Sequence, residues 1–90
     1  MYKKIELDEI LGSLDGWTAV KGREAIFKKF QLRDFEHAFS CMSEIAIKAE
    51  QMNHHPEWFN VYNKLEVTLT THDATSYDLE LANFIDNVCS

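Results

Sequence analysis

Of the four histidines in this chain, three stand where the residue pattern says rigid elements stop. His54 and His55 close a long helical stretch and run straight into Pro56, and His72 follows the strongest strand-like stretch. Loop positions at the ends of rigid elements are where functional side chains are commonly mounted. Imidazole can give or take a proton near neutral pH, so these three side chains suit general acid–base chemistry. A polar helix-to-strand loop with no task is the plain alternative. Three histidines could also make an open zinc site. Neighbouring side chains at 54 and 55 diverge, however, and no histidine stands at i+4 spacing on the helix, so ligand spacing disfavours a metal. Nucleophilic catalysis has less support, because Cys41 borders the core side of a helix and no serine occupies a nucleophile elbow. His37, on the polar side of the same helix, reads as a solvated surface residue.

The elements that must position these residues are written in the apolar pattern. Leu7, Ile10, Leu11 and Leu14 recur at helical spacing, which predicts a short helix over 6–14 ending at Gly16. Trp17 to Val20 and Ala25 to Leu32 read as strands joined by Lys21-Gly22-Arg23-Glu24, a first hairpin. The longest element is a helix from about Phe35 to Met52, with Asp34 as its N-cap and Glu36 complementing the dipole. Its expected apolar stripe is Phe35, Ala38, Phe39, Met42, Ile45, Ala46, Ala49 and Met52. Ile47 falls outside that stripe beside Ser40, Ser43 and Glu44, where it suits a helix–helix contact between subunits. Pro56 cannot extend the helix and biases His55 away from helical geometry. Trp58–Tyr62 and Leu65–Thr71 then flank Asn63-Lys64, a two-residue turn with Asn63 at positive φ. Leu65, Val67 and Leu69 share one face of their strand. A last helix runs from about Tyr77 to Val88. The predicted fold is α+β in the order α-β-β-α-β-β-α, a four-stranded antiparallel sheet with three helices packed on one face.

Composition narrows the partners. Nine basic residues against fifteen acidic ones give a net charge of −6, with no basic stripe to neutralise phosphates, so nucleic acid and an anionic membrane are both disfavoured. The apolar runs are too short for a membrane span or a signal-peptide core, which makes a cytoplasmic address the default. Cys41 and Cys89 lack the spacing of a metal knuckle or a redox pair, and two reduced thiols are expected. Ninety residues suit a single domain over 1–90, small enough to gain from packing against a second copy.

Taken as an ordered set, Glu50-x-x-x-His54-His55-Pro56-Glu57-Trp58, Asn60-Val61-Tyr62-Asn63 and Thr70-Thr71-His72-Asp73 resemble the signature of the pterin-4a-carbinolamine dehydratases. The flanking Arg23-Glu24-Ala25-Ile26-Phe27-Lys28, Asp34-Phe35 and Leu81-Ala82-x-Phe84-Ile85 are similar to that family as well. The resemblance implies a cofactor-free and metal-free carbon–oxygen lyase. Its substrate would be a 4a-hydroxytetrahydropterin such as 4a-hydroxytetrahydrobiopterin, and its product a quinonoid dihydropterin in tetrahydrobiopterin recycling. By position, His54 and His72 would serve as acid and base, His55 would orient the pterin, and Glu50 would hydrogen-bond an imidazole or the ring. Thr70, Thr71 and Asp73 would line the pterin site, Pro56 and Trp58 would shape its wall, and Asp78 matches a pocket acid. Asn53 would count among the substrate-binding residues, as a neutral amide where the family often has Asp, and Gln51 stands where Lys is common. The segment between His72 and Asp78 is shorter than usual. The family pairs edge strands into dimers, often doubled through the long helix. Some animal members bind a partner helix of a transcription factor, which leaves the nucleus open as a second location.

Overall fold

The computed structural model describes residues 7–71 and 76–90. Their elements are α1 (Leu7–Gly12), β1 (Thr18–Ala19), β2 (Ala25–Gln31), α2 (Phe35–Met52), β3 (Glu57–Val61), β4 (Lys64–Thr70) and α3 (Ser76–Val88). The α+β order read from the sequence is the order observed, with an antiparallel sheet arranged β1-β2-β4-β3.

Chemistry at both ends of α2 sets its limits. Asp34 is extended (φ −163°) and accepts the His37 N–H at 2.8 Å, one of the orphan donors of the first turn. His37 is not simply solvated: it is half-buried, and its Nδ1 accepts the Arg33 N–H at 3.3 Å, closing the cap from the other side. At the far end Asn53 turns left-handed (φ 52°), its N–H bonds the Glu50 carbonyl, and the His54 N–H bonds the Ala49 carbonyl at 3.0 Å. This paired closure is a Schellman motif, and asparagine is among the few side chains that tolerate its left-handed position.

The core lies on one side of the sheet. Ile26 and Phe30 of β2 and Leu65, Val67 and Leu69 of β4 pack against Ala38, Cys41, Ile45 and Ala49 of α2 and Leu81, Ala82 and Ile85 of α3. The stripe of α2 is therefore narrower than expected. Phe35 and Phe39 remain 50% and 60% exposed, touching each other rather than the core, and Ala46 is exposed as well. Cys41 takes the inward place, and it is not a free thiol. Cys41 and Cys89 form a disulfide with Cα atoms 5.6 Å apart, which corrects the expectation of two reduced cysteines. The helices α2 and α3 run antiparallel, so Cys89, one turn past Ile85, arrives beside the first half of α2.

The second hairpin closes one residue earlier than its composition suggests. Val61 pairs with Lys64, so the turn is Tyr62-Asn63 and Tyr62 carries the positive φ (52°). Asn63 has other work, since its carbonyl accepts the Leu32 N–H at 2.7 Å and its Nδ2 donates to the Leu32 carbonyl at 2.9 Å. A second polar element sits on the helix side of the sheet. Lys28 lies between Ile26 and Phe30 on the inward phase of β2 and meets Asp86 of α3 at 2.7 Å, while Trp17 donates to both Asp86 oxygens. Lys28 also reaches the Asp15 carbonyl. Gly16 makes room for it: at φ 86°, a Cβ there would lie 3.0 Å from Lys28 Cε.

Candidate active site

Because α2 and α3 are antiparallel, the C-terminal end of α2 lies against the first turn of α3. The Schellman turn throws His54 inward, and its Nε2 lies 2.8 Å from Asp78 Oδ1. Asp78 is 2% exposed, a carboxylate held in the first turn of a helix, where the dipole favours negative charge. The His54–Asp78 contact has ion-pair distance without hydrogen-bond alignment, so the imidazole is placed but not fully engaged. His55 leaves in the opposite direction. Its Nε2 lies 2.9 Å from Glu50 Oε2, and both side chains are open to solvent. Two adjacent imidazoles thus face two different carboxylates, one inside and one outside.

The sheet brings the other candidates to the same end of the molecule. Thr70 ends β4 opposite Ala25, and Thr71 follows it, buried, with its N–H donating to the Glu24 carbonyl at 2.7 Å. Thr71 Oγ1 is buried with no hydrogen-bond partner among the described residues. Pro56 is half-buried between His55 and the start of β3. Trp58, opposite Val67, lines a shallow cleft with Phe27, Glu57, Phe59, Glu66 and Thr68, apart from the His54–Asp78 contact. Asn53 is exposed at the helix end. His72 and Asp73 lie outside the described residues. Among the described residues no three His, Cys, Asp or Glu side chains gather as a metal-binding group, and no helix there is long and apolar enough to cross a membrane.

One contact at this end was not anticipated. Arg23, in the β1–β2 turn, places Nη1 and Nη2 on the two carboxylate oxygens of Glu57 at 3.0 and 2.7 Å. Those hydrogen bonds, and then the paired charge, push the guanidinium pKa up and the Glu57 pKa down from their ordinary values. The sequence marks Arg23 only as part of a family-like segment, and nothing there points to Glu57 as its partner.

The chain has counterparts among known proteins. The family model for pterin 4 alpha carbinolamine dehydratase matches residues 2–88. The chain belongs to that family. Pterin-4a-carbinolamine dehydratases also supply its curated relatives. A protein of Burkholderia vietnamiensis, provisionally named pterin-4-alpha-carbinolamine dehydratase, is 53% identical over 96 residues, covering 100% of this chain and 94% of its own. One from Burkholderia pseudomallei with the same provisional name is 58% identical over 81 residues, covering 87% of this chain and 80% of its own. The crystal structure of a transcriptional coactivator/pterin dehydratase from Brucella melitensis superposes with a TM-score of 0.88 at 44% identity, covering 94% of both chains.

Proposed function

We propose that this chain is a 4a-hydroxytetrahydropterin dehydratase, converting a 4a-carbinolamine such as 4a-hydroxytetrahydrobiopterin to quinonoid dihydropterin and water in pterin recycling. The observation that carries this reading is the inward His54 held against buried Asp78 beside the end of β4. The reaction needs proton movement alone. The C4a–O bond breaks, the hydroxyl leaves with an added proton as water, and a ring N–H gives up its proton as the C=N bond forms. His54 and His72 act as acid and base across the ring, with Asp78 fixing the His54 imidazole. His55, tethered by Glu50, orients the pterin at the solvent side. Thr70, Thr71 and Asp73 line the pterin, Pro56 and Trp58 shape its wall, and Asn53 closes the helix behind it. Residues 1–90 act as one cytoplasmic domain.

The assay couples the protein to a hydroxylase that generates the 4a-carbinolamine and follows dehydration by absorbance. Dehydration should accelerate without added metal or nucleotide, and His54→Ala and His72→Ala should each slow it by roughly 10²-fold or more. Wild-type rates in both variants would remove the acid–base assignment.

The active unit is a homodimer joined through β3, which lies at the sheet edge with Phe59 and Val61 exposed. Doubling of that dimer uses the Ser40/Ser43/Ile47 face of α2, where Ile47 is 62% exposed. A monomer in light scattering at micromolar concentration would exclude both contacts, and a tetramer surviving Ile47→Glu would exclude the second. A further reading, a dimerisation cofactor that binds a helix of a transcription regulator, draws on the coactivator in the name of the Brucella melitensis neighbour. Retained co-regulator activity in His54→Ala would separate it from the catalytic role.

A further inference from the structure

We infer that Arg23 is a positioning residue for the dehydration proposed above, holding together the two chain segments on which the candidate groups are mounted. The β1–β2 turn is itself closed: the Val20 N–H bonds the Ala25 carbonyl at 2.9 Å, the Arg23 N–H bonds the Val20 carbonyl, and Gly22 takes φ 81°. This turn stands at the end of the sheet where β4 delivers Thr70 and Thr71 and where the chain from His54, His55 and Pro56 enters β3. It grips both. The Glu24 carbonyl accepts the Thr71 N–H, carrying the β2–β4 ladder one step past Ala25 and Thr70. The Arg23 fork takes the Glu57 carboxylate with two hydrogen bonds.

Since β4 lies between β2 and β3, the Arg23–Glu57 fork must reach across β4 to make that contact. Glu57 is also the first residue of β3 in the ladder, paired with Thr68. The chain from His54 to Pro56 lies outside the strands, so Glu57 is where the sheet takes hold of the histidine segment. Fixing Glu57 to the turn that also bonds Thr71 sets the spacing between the His54–His55 arm and the Thr70–Thr71 arm. The pair is roughly half exposed on both sides, and such pairs add little to stability. Its two-pronged geometry is instead the kind that fixes orientation, which a lysine cannot reproduce. Displacements on the order of 1 Å in a catalytic arrangement can cost up to about 10²-fold in rate, so a weak strap can have a measurable kinetic effect.

The test compares wild type, Arg23→Ala, Arg23→Lys and the exchanged pair Arg23→Glu/Glu57→Arg. Each is assayed for kcat and KM of dehydration, thermal midpoint, and the amide shifts and hydrogen exchange of Thr71 and Trp58. Arg23→Ala should lose roughly five-fold in kcat with its midpoint within about 2 °C of wild type. Arg23→Lys should recover a part of that loss and the exchanged pair most of it. Thr71 exchange should quicken in Arg23→Ala and return toward wild type in the exchanged pair. Unchanged kcat and KM in Arg23→Ala, beside an active wild type, would overturn the inference, and so would a rate loss that the exchanged pair does not restore. If the wild-type protein fails to dehydrate the carbinolamine, the functional reading falls. The amide data then judge the strap by themselves, and unaltered Thr71 and Trp58 signals in Arg23→Ala would end it.

Discussion

The α2–α3 pair is fastened at both ends, by opposite kinds of chemistry. At one end Cys41 and Cys89 form a covalent link in which neither residue is more than 5% exposed. At the other, His54 meets Asp78 through a contact whose histidine side chain keeps 22% of its surface. Between them Lys48 bridges to Glu80 at 2.9 Å and lies over the Phe84 ring. The buried end carries no group that can exchange protons, whereas the half-open end carries two. The covalent end can be as rigid as packing allows without any penalty to proton transfer. In the dehydration proposed above the ionic end would have to leave an imidazole able to move a proton, and the contact that holds it is polar rather than covalent.

Breaking the covalent end should have the largest effect on stability. Its cysteines are separated by 48 residues in sequence, and a loop of that order contributes about 4 kcal/mol in the chain-entropy account. Cys41→Ala/Cys89→Ala, or a dithiol reductant on the wild type, should lower the thermal midpoint by roughly 15 °C or more. At 25 °C the folded reduced protein should keep kcat within about two-fold, because the far end of the pair is intact. A kcat that collapsed on reduction below the midpoint would show that the two ends are not independent.

Asp78→Asn attacks the other end. The amide is nearly isosteric but removes the charge beside His54, and it should cost about 1–2 kcal/mol of stability, well short of the disulfide. Its effect on kcat should be at least about tenfold. Full activity with a lowered melting point would mean Asp78 is a packing residue and not part of the proton path.

Smaller effects are expected from the caps that begin and end α2. Asn53→Ala keeps a β-carbon in the left-handed position but removes the short amide side chain that makes it tolerable there, and should cost roughly 1 kcal/mol, whereas Asn53→Gly should be close to neutral, as read by chemical denaturation. Asp34→Ala should lower the midpoint by a few degrees at neutral pH. The carboxyl of Asp34 is held below its ordinary pKa, first by the His37 N–H and then by Arg33. Its contribution is therefore present above the unfolded carboxylate value and fades as pH falls through the lower folded value. Melting curves of wild type and Asp34→Ala should converge in strong acid. A gap that widened there would contradict the capping role.

Much of the architecture could be read from the chain because single residues announced it. Asp34 marked the start of α2, and the alternation of Leu65, Val67 and Leu69 marked the inward face of β4. What escaped the reading was tertiary. Asn63 has the composition of a positive-φ residue, but Leu32 claims both its carbonyl and its amide, so the strain moves to Tyr62. The disulfide depends on two helices approaching antiparallel, which spacing along the chain does not encode. Yet it left a trace, since Cys41 lies in the stripe of Ala38, Ile45 and Ala49, and Cys89 follows Ile85 by four residues. Asp78 left a similar one as the polar first member of a stripe continued by Leu81, Ala82 and Ile85. Lys28 between Ile26 and Phe30 is a third. A charged residue in an apolar phase needs a partner, and both do face one. The divergence of His54 and His55 followed from adjacency, but the identity of each carboxylate required the fold.

The strand order also governs how the polypeptide can be assembled during synthesis. Because β4 lies between β2 and β3, a chain growing from its N-terminus has only the two-residue β1 alongside β2 until residues 64–70 have been made. β3 is made before them, and among the described residues its one neighbour in the sheet is β4. The β3–β4 hairpin is the local pairing, and its docking onto β2 is the long-range one that must wait for it. Through that interval α2 has already been made, and together with Ile10 and Trp17 it can cover Ile26 and Phe30 while the nascent sheet is incomplete.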